Sequence, residues 1–285
     1  MPRQLHMHGR LIVWSAACAQ IATSHDVFHP TPMYRTRLAL LFGFLLLPST
    51  STAQSPRRTN DEQATWLAYT GIHPLSPNWR LQLEAQLRQT EGASQPQQRL
   101  FRTALLRVLM PGVRAGAGFA TTRTYPPDEF VANPAPFSEH RVYEQLDLRQ
   151  PIGRLVLDHR YRLEQRWVER LTTTSTGASE HDGWTYTNRA RYFLRTIVAP
   201  GGGPPENGET YFVGYDEVFV NFGQNVRANI FDQNRIFAGV GHRWSAAFSL
   251  EVGYLNQIVL RSNGTDVERN HTILIGLQSE APFRK

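Results

Sequence analysis

Three things are scarce in this chain: cysteine, lysine and long apolar runs. The one cysteine is Cys18 and the one lysine is Lys285. Cys18 falls in a segment expected to be absent from the mature protein, so neither a disulfide framework nor a cysteine-based zinc site is expected. The 30 basic residues are nearly all arginine and are spread along the chain rather than gathered in a run. The formal charge of +6 therefore argues little for nucleic acid, and no nucleic-acid partner is expected. Hydrophobic residues make up 41%, yet no apolar stretch reaches the roughly 20 residues that a spanning helix needs. That excludes a helical membrane protein. It leaves a transmembrane β-barrel open, because barrel strands alternate apolar and polar residues.

The clearest apolar run, Leu38–Leu47, is ten residues long and sits in an export signal. Met33–Arg37 is a short positive region, and Ser49–Ala53 is a small-residue stretch with Ser51 and Ala53 before a cleavage point. Residues 33–53 thus have the form of a secretory signal peptide. Residues 1–32 carry four histidines and no clear element, and are read as an extension from a misassigned start codon. A rival signal over Leu11–Ala22 is interrupted by Ser15 and Gln20. The mature chain is expected to begin near Gln54, with 54–63 as a lead-in. Removing residues 1–53 takes four arginines and Asp26 from the 30 basic and 24 acidic residues, which leaves 26 and 23.

From Ala64 onward the pattern is period two. In Trp79–Arg88, Trp79, Leu81, Leu83, Ala85 and Leu87 share one face, and Arg80, Gln82, Glu84, Gln86 and Arg88 the other. In Leu155–Trp167, Leu155, Leu157, His159, Tyr161, Leu163 and Trp167 lie opposite Asp158, Arg160, Arg162, Glu164 and Arg166. A helix would scatter these groups, whereas a strand separates them. Similar segments are Ala64–His73, Gln98–Met110, Val113–Tyr125, His140–Gln150, Trp184–Val198, Tyr211–Phe222, Arg235–Trp244, Ala247–Val259 and His271–Leu277. In Gln98–Met110 arginines fall on both parities, so its facing stays open.

These eleven candidates point to an all-β fold, an antiparallel transmembrane β-barrel of 10–12 strands over residues 64–277, followed by a 278–285 tail. Bacterial barrels usually have an even strand number, so twelve is preferred, with a missed strand or a lumenal lead-in making up the count. Short turns at Pro111-Gly112, Pro151–Gly153 and Ser245 alternate with long connections at Pro126–Glu139, Arg170–Gly183, Gly223–Asn234 and Arg261–Asn270. Ala199–Glu209 is long yet falls on the short-turn side. A soluble sandwich would also alternate. Rows of charge on the polar face, and Trp66, Trp79, Tyr125, Tyr143, Trp167, Trp184, Phe222 and Trp244 at strand ends, favour a watery lumen and interfacial girdles. The expected location is the outer membrane of a Gram-negative bacterium, with outer-membrane lipid as a partner.

Several segments resemble a family of outer-membrane barrels defined as domain-of-unknown-function 2490. They are His159–Trp167, Asn188–Tyr192, Gly214–Asn221, Phe231–Ile236 and Gly253–Gln257, in that order. The resemblance covers about residues 64–277. It implies an outer-membrane barrel, no established activity and no catalytic residues to carry over. The N-terminal extension and the Gly-Pro-rich connection near Gly201 depart from the family pattern.

The candidate site is the inward row Arg160, Arg162, Glu164 and Arg166, beside Arg189, Arg191 and Arg195, with Glu217 and Arg235 also inward. Arg243 and Glu251 share that facing. Neighbouring strands set such side chains about 5 Å apart, so Arg–Glu pairs are expected. One reading is a structural ladder that fills the lumen. Another is a channel or binding barrel for small anionic solutes, since arginine rings favour anions. A lipid-modifying enzyme would need a nucleophile and base together; His159 and His242 face outward, His271 lies at a loop end and Ser249 faces inward, so no catalytic residues are assigned. A surface-binding role would use long loops such as Pro126–Glu139, where Phe130 and Phe137 among prolines fit a contact surface or equally a packed lid or plug. No metal or cofactor is expected.

Overall fold

Among the described residues, strands follow one another without a helix. The computed structural model describes residues 57–126 and 135–283. The expected extension 1–32, the signal 33–53, the start of the lead-in, Phe130 and the last two residues of the tail lie outside the described residues. The strands are β1 (Arg58–Pro74), β2 (Trp79–Thr90), β3 (Gln95–Met110), β4 (Val113–Thr124), β5 (Phe137–Ile152) and β6 (Leu155–Thr173). Then come β7 (Ser179–Val198), β8 (Glu209–Phe222), β9 (Phe231–Arg243), β10 (Phe248–Leu260) and β11 (Asp266–Ser279).

Consecutive strands pair antiparallel, and β1 pairs with β11 to close the barrel. Eleven strands, not the preferred twelve, form the ring, and the closing pair is parallel. Direction explains both corrections. Strands joined by hairpins alternate in direction, so the first and eleventh run the same way and can meet only in parallel. No missing strand is required. The described part of the lead-in does not return through the lumen either, since Arg58–Gln63 already belong to β1 and pair with Asp266–His271.

The two ends of the barrel differ. At the turn end β3 and β4 meet across Pro111-Gly112. Gly112 has φ +78°, and a Cβ there would come within 2.7 Å of the Arg149 carbonyl oxygen, so glycine is required twice over. At the loop end, Arg170–Gly183 is mostly strand and not a long loop. β6 runs to Thr173 and β7 begins at Ser179, leaving a turn at 174–178. The run Thr172–Thr174 is β-branched and suits extended backbone. The long connection at the turn end, 199–208, is tied down by Glu209. Its carboxylate accepts hydrogen bonds from the Gly201 and Glu206 amides, each at 2.8 Å.

The outer wall is mostly apolar, with Arg99, Arg107, Glu144 and Asp216 also exposed on it. Leu67, Leu87, Phe101, Leu105, Leu146, Leu163, Ile236, Val252 and Ile273 are exposed on it. The inner wall is mixed. Beside its charges it holds apolar clusters, one of Trp66, Val156, Ile197, Tyr211, Phe237, Leu255 and neighbours, the other of Ala104, Leu106, Ala120 and Tyr143. Trp66 and Tyr143 are therefore interior residues and not part of a girdle, while Trp79, Trp167, Trp184, Phe222 and Trp244 are exposed outside. Inward glycines make room for these rings. A Cβ on Gly118 would lie 2.6 Å from the Tyr143 ring, and one on Gly239 would lie 2.6 Å from the Phe237 ring. Aromatic rings laid over strand glycines fill the space that a missing side chain leaves.

Candidate functional site

Period-two alternation decides which side chains enter the lumen, and register decides which of them meet. On β5, β6 and β7 the residues Gln145, Arg162 and Arg191 are direct cross-strand neighbours, as are Tyr143, Glu164 and Arg189. On β8 and β9, Glu217 faces Arg235. All nine candidate residues line this inner wall. Eight of them form ion pairs.

The central pairs, from Asp232 through Arg189, Glu164, Arg191 and Glu217 to Arg235, join into one chain. Arg189 donates to Asp232 at 2.7 Å and, through two nitrogens, to Glu164 at 2.6 and 2.9 Å. Arg191 donates to the other Glu164 oxygen at 2.6 Å and to Glu217 at 2.5 Å. Glu217 also pairs with Arg235 at 3.5 Å. Toward the loop end, Arg166 and Arg141 converge on Glu139 at 2.5 and 2.7 Å. Toward the turn end, Arg160 pairs with Asp147 at 3.1 Å, and Arg195 pairs with Asp158 at 3.2 Å and with Glu251. Each carboxylate thus offsets part of the arginine charge in a place where an isolated ion would be costly. Arg162 is the exception. Its Nε donates to Gln145 at 2.6 Å, and it forms no ion pair among the described residues.

This lattice closes the middle of the barrel. Gln82, Tyr143, Glu164 and Phe219 are buried there. Two cavities of about 240 Å³ lie on either side. The turn-end cavity is lined by Asp158, Arg195, Arg243 and Glu251 among others, with Pro204 and Pro205 at its mouth. The loop-end cavity is lined by Glu139, Arg166, Arg261 and Glu268. Arg102, Arg191 and Arg235 border both and form the partition between them.

Several members of the lattice escaped the sequence reading. Arg102 lies on β3, where Arg99 and Arg107 point outward. It pairs with Glu84 and is buried. Its parity matches Leu100, Ala104 and Leu106, which are apolar and also inward, so alternation on this strand carries no polar signal. Asp232 enters the lumen because the β8·β9 register shifts between Phe219 and Val220. A bulge of that kind moves a side chain across the sheet and leaves no mark on period-two counting.

The candidate catalytic types do not assemble. Ser249 is buried on the inner wall, whereas His159 and His242 lie outside, bonded to Tyr192 and Thr210. His271 is not at a loop end but within β11. It meets the Tyr254 hydroxyl at 2.5 Å and Asp61 at 3.6 Å on the outer wall.

The fold and interior define a closed, mixed β-barrel with a charge-paired lumen. The chain belongs to the family described as protein of unknown function DUF2490, whose model matches residues 63–268. No curated protein and no solved structure matches it.

Proposed function

We propose that this protein is an outer-membrane β-barrel that holds small anionic solutes in its lumen and does not pass them through an open pore. A mostly apolar outer wall facing lipid and a charged interior support the membrane reading. The observation that carries the functional part is the partition. Arg102, Arg191 and Arg235 separate the two cavities, and Arg162, which forms no ion pair among the described residues, adds positive charge next to them. Paired charges in a narrow lumen block passage, and surplus guanidinium attracts anions.

Reconstitution into planar bilayers tests the closed lumen, and equilibrium dialysis against sulfate, phosphate and a small dicarboxylate tests binding. The expected result is insertion with no stepwise conductance, together with retention of anions and not of matched cations. Stable anion-selective steps would show a through-path. Retention of no anion would remove the binding role.

A second reading, a lipid-modifying enzyme, draws on the outer-wall chain Asp61–His271–Tyr254, with Asn256 donating to the same hydroxyl at 3.4 Å. A carboxylate, an imidazole and a hydroxyl in sequence can move a proton. Turnover of labelled phospholipid, abolished by His271→Gln, would support this reading; no turnover by the wild type would remove it.

A further inference from the structure

Two buried lumen arginines, Arg88 and Arg162, form no ion pair among the described residues, and they differ in how they are satisfied. Arg88 gives two nitrogens to Gln86, at 2.5 and 3.1 Å, and stacks on Trp66 at 3.9 Å. Arg162 is 2% exposed, and neither of its Nη atoms has a partner. Around it the unpartnered groups are of one kind. Gln82 Nε2, Arg102 Nε and Arg191 Nε are buried donors without acceptors.

These donors are held together by the fold. Arg191 is the direct cross-strand neighbour of Arg162. Arg102 and Arg162 both approach the Tyr143 ring, at 5.9 and 4.9 Å. Gln82 reaches the same place through Gln145, which donates to it at 3.1 Å while accepting from Arg162. Arg102, Arg160 and Arg191 line the inner part of the turn-end cavity. A cluster of buried donors calls for a group that accepts several hydrogen bonds and carries negative charge. Guanidinium forks match the oxygens of carboxylates and phosphates. The cavity, at about 240 Å³, falls below the range of roughly 300 Å³ and upward that drug-sized ligands occupy.

We propose that the inner end of the turn-end cavity, lined by Arg102, Arg160 and Arg191 with Arg162 buried beside them, binds one small oxyanion of phosphate size. This rests on the reading of the lumen as an anion-holding interior and names its site and ligand class. Arg162 is the discriminating residue, because it forms no ion pair with a carboxylate among the described residues. Removing it deletes an unpaired buried charge, so Arg162→Gln is expected to fold as well as the parent.

The test is equilibrium dialysis of the full mature chain in detergent with labelled inorganic phosphate, at fixed ionic strength set by chloride. The wild type should bind one phosphate per chain. Arg162→Gln should weaken binding at least tenfold, Arg162→Lys should fall between, and Arg107→Gln on the outer wall should bind as the wild type does. Phosphate should also raise the temperature at which the wild-type barrel loses its folded gel mobility, and should not do so for Arg162→Gln. If phosphate or another anion binds and Arg162→Gln binds it equally well, this site is wrong while the broader reading stands. If the wild type retains no anion, both fail.

Discussion

Glu164 on β6 and Arg189 on β7 are direct cross-strand partners, joined by two hydrogen bonds to one carboxylate oxygen while Arg191 takes the other oxygen. Glu164 is thus the node of the lattice. Replacing it with alanine leaves two buried guanidiniums short of a counter-charge. Breaking a buried pair from one side costs about 3–5 kcal/mol. Glu164→Ala should lower the midpoint of urea unfolding in detergent or lipid by a corresponding amount. The same substitution at exposed Glu180 should leave the midpoint unchanged.

Trp66 and Trp79 look alike in sequence and sit on opposite sides of the wall. Trp66 is buried inside, between Arg88 and Arg235, and Trp79 is exposed outside. Truncating a buried tryptophan costs about 3–5 kcal/mol. Trp66→Ala should therefore destabilise the barrel strongly and Trp79→Ala weakly. In lipid vesicles carrying brominated acyl chains, the fluorescence of Trp79 should be quenched and that of Trp66 spared. This is read in variants that keep one tryptophan each.

Gly239 and Gly253 are registered opposite each other with the Phe237 ring lying across both. A Cβ on Gly253 would stand 2.5 Å from Gly239 Cα and 2.3 Å from the Ala238 carbonyl oxygen. Overfilling such a place costs about 1–3 kcal/mol. Gly253→Val should lower the unfolding midpoint and slow barrel assembly, measured by the appearance of the compact band on unheated gels. Gly276→Ala, where an added Cβ would meet nothing closer than 3.4 Å, should not slow assembly.

The Glu209 carboxylate is held below its ordinary range by the Glu206 and Gly201 amides that donate to it. The stabilisation of the 199–208 connection by this clamp is present above the ordinary glutamate range. It is lost as pH falls through the lowered value, where the carboxyl gains a proton and accepts less strongly. Amide exchange at Gly201 and Glu206, corrected for its intrinsic pH dependence, should show reduced protection in acid. Glu209→Ala should show that reduced protection at neutral pH as well. Equal protection in the variant and the parent would remove the clamp.

All eleven strand candidates of the sequence reading correspond to strands of the barrel, and the facing of β2, β6, β7 and β8 follows from alternation. The inward placement of Arg160, Arg162, Glu164, Arg166, Arg189 and Arg191 was legible for the same reason, since period two is a local property of extended backbone. Local patterning could not reveal what depends on more than one strand. Arg102 was hidden because arginines fall on both faces of β3 and its own face is otherwise apolar, and Asp232 because a bulge moves it. Trp66 and Tyr143 were hidden because an aromatic residue suits a girdle and an interior place equally well, Trp66 against Arg88 and Arg235 and Tyr143 over Gly118.

The sequence by itself determined that this is a strand protein with rows of arginine and carboxylate on one side of its strands, because alternation is written residue by residue. Tertiary structure decided the number of strands, the parallel closure of β1 on β11, and which charges pair. An odd ring has to close in parallel, and a carboxylate meets a guanidinium only where register brings their strands level. It also decided that Arg162, one of several similar arginines in the sequence, stands without a carboxylate partner among the described residues. That follows from its neighbours across the sheet, Gln145 and Arg191, and not from its own strand.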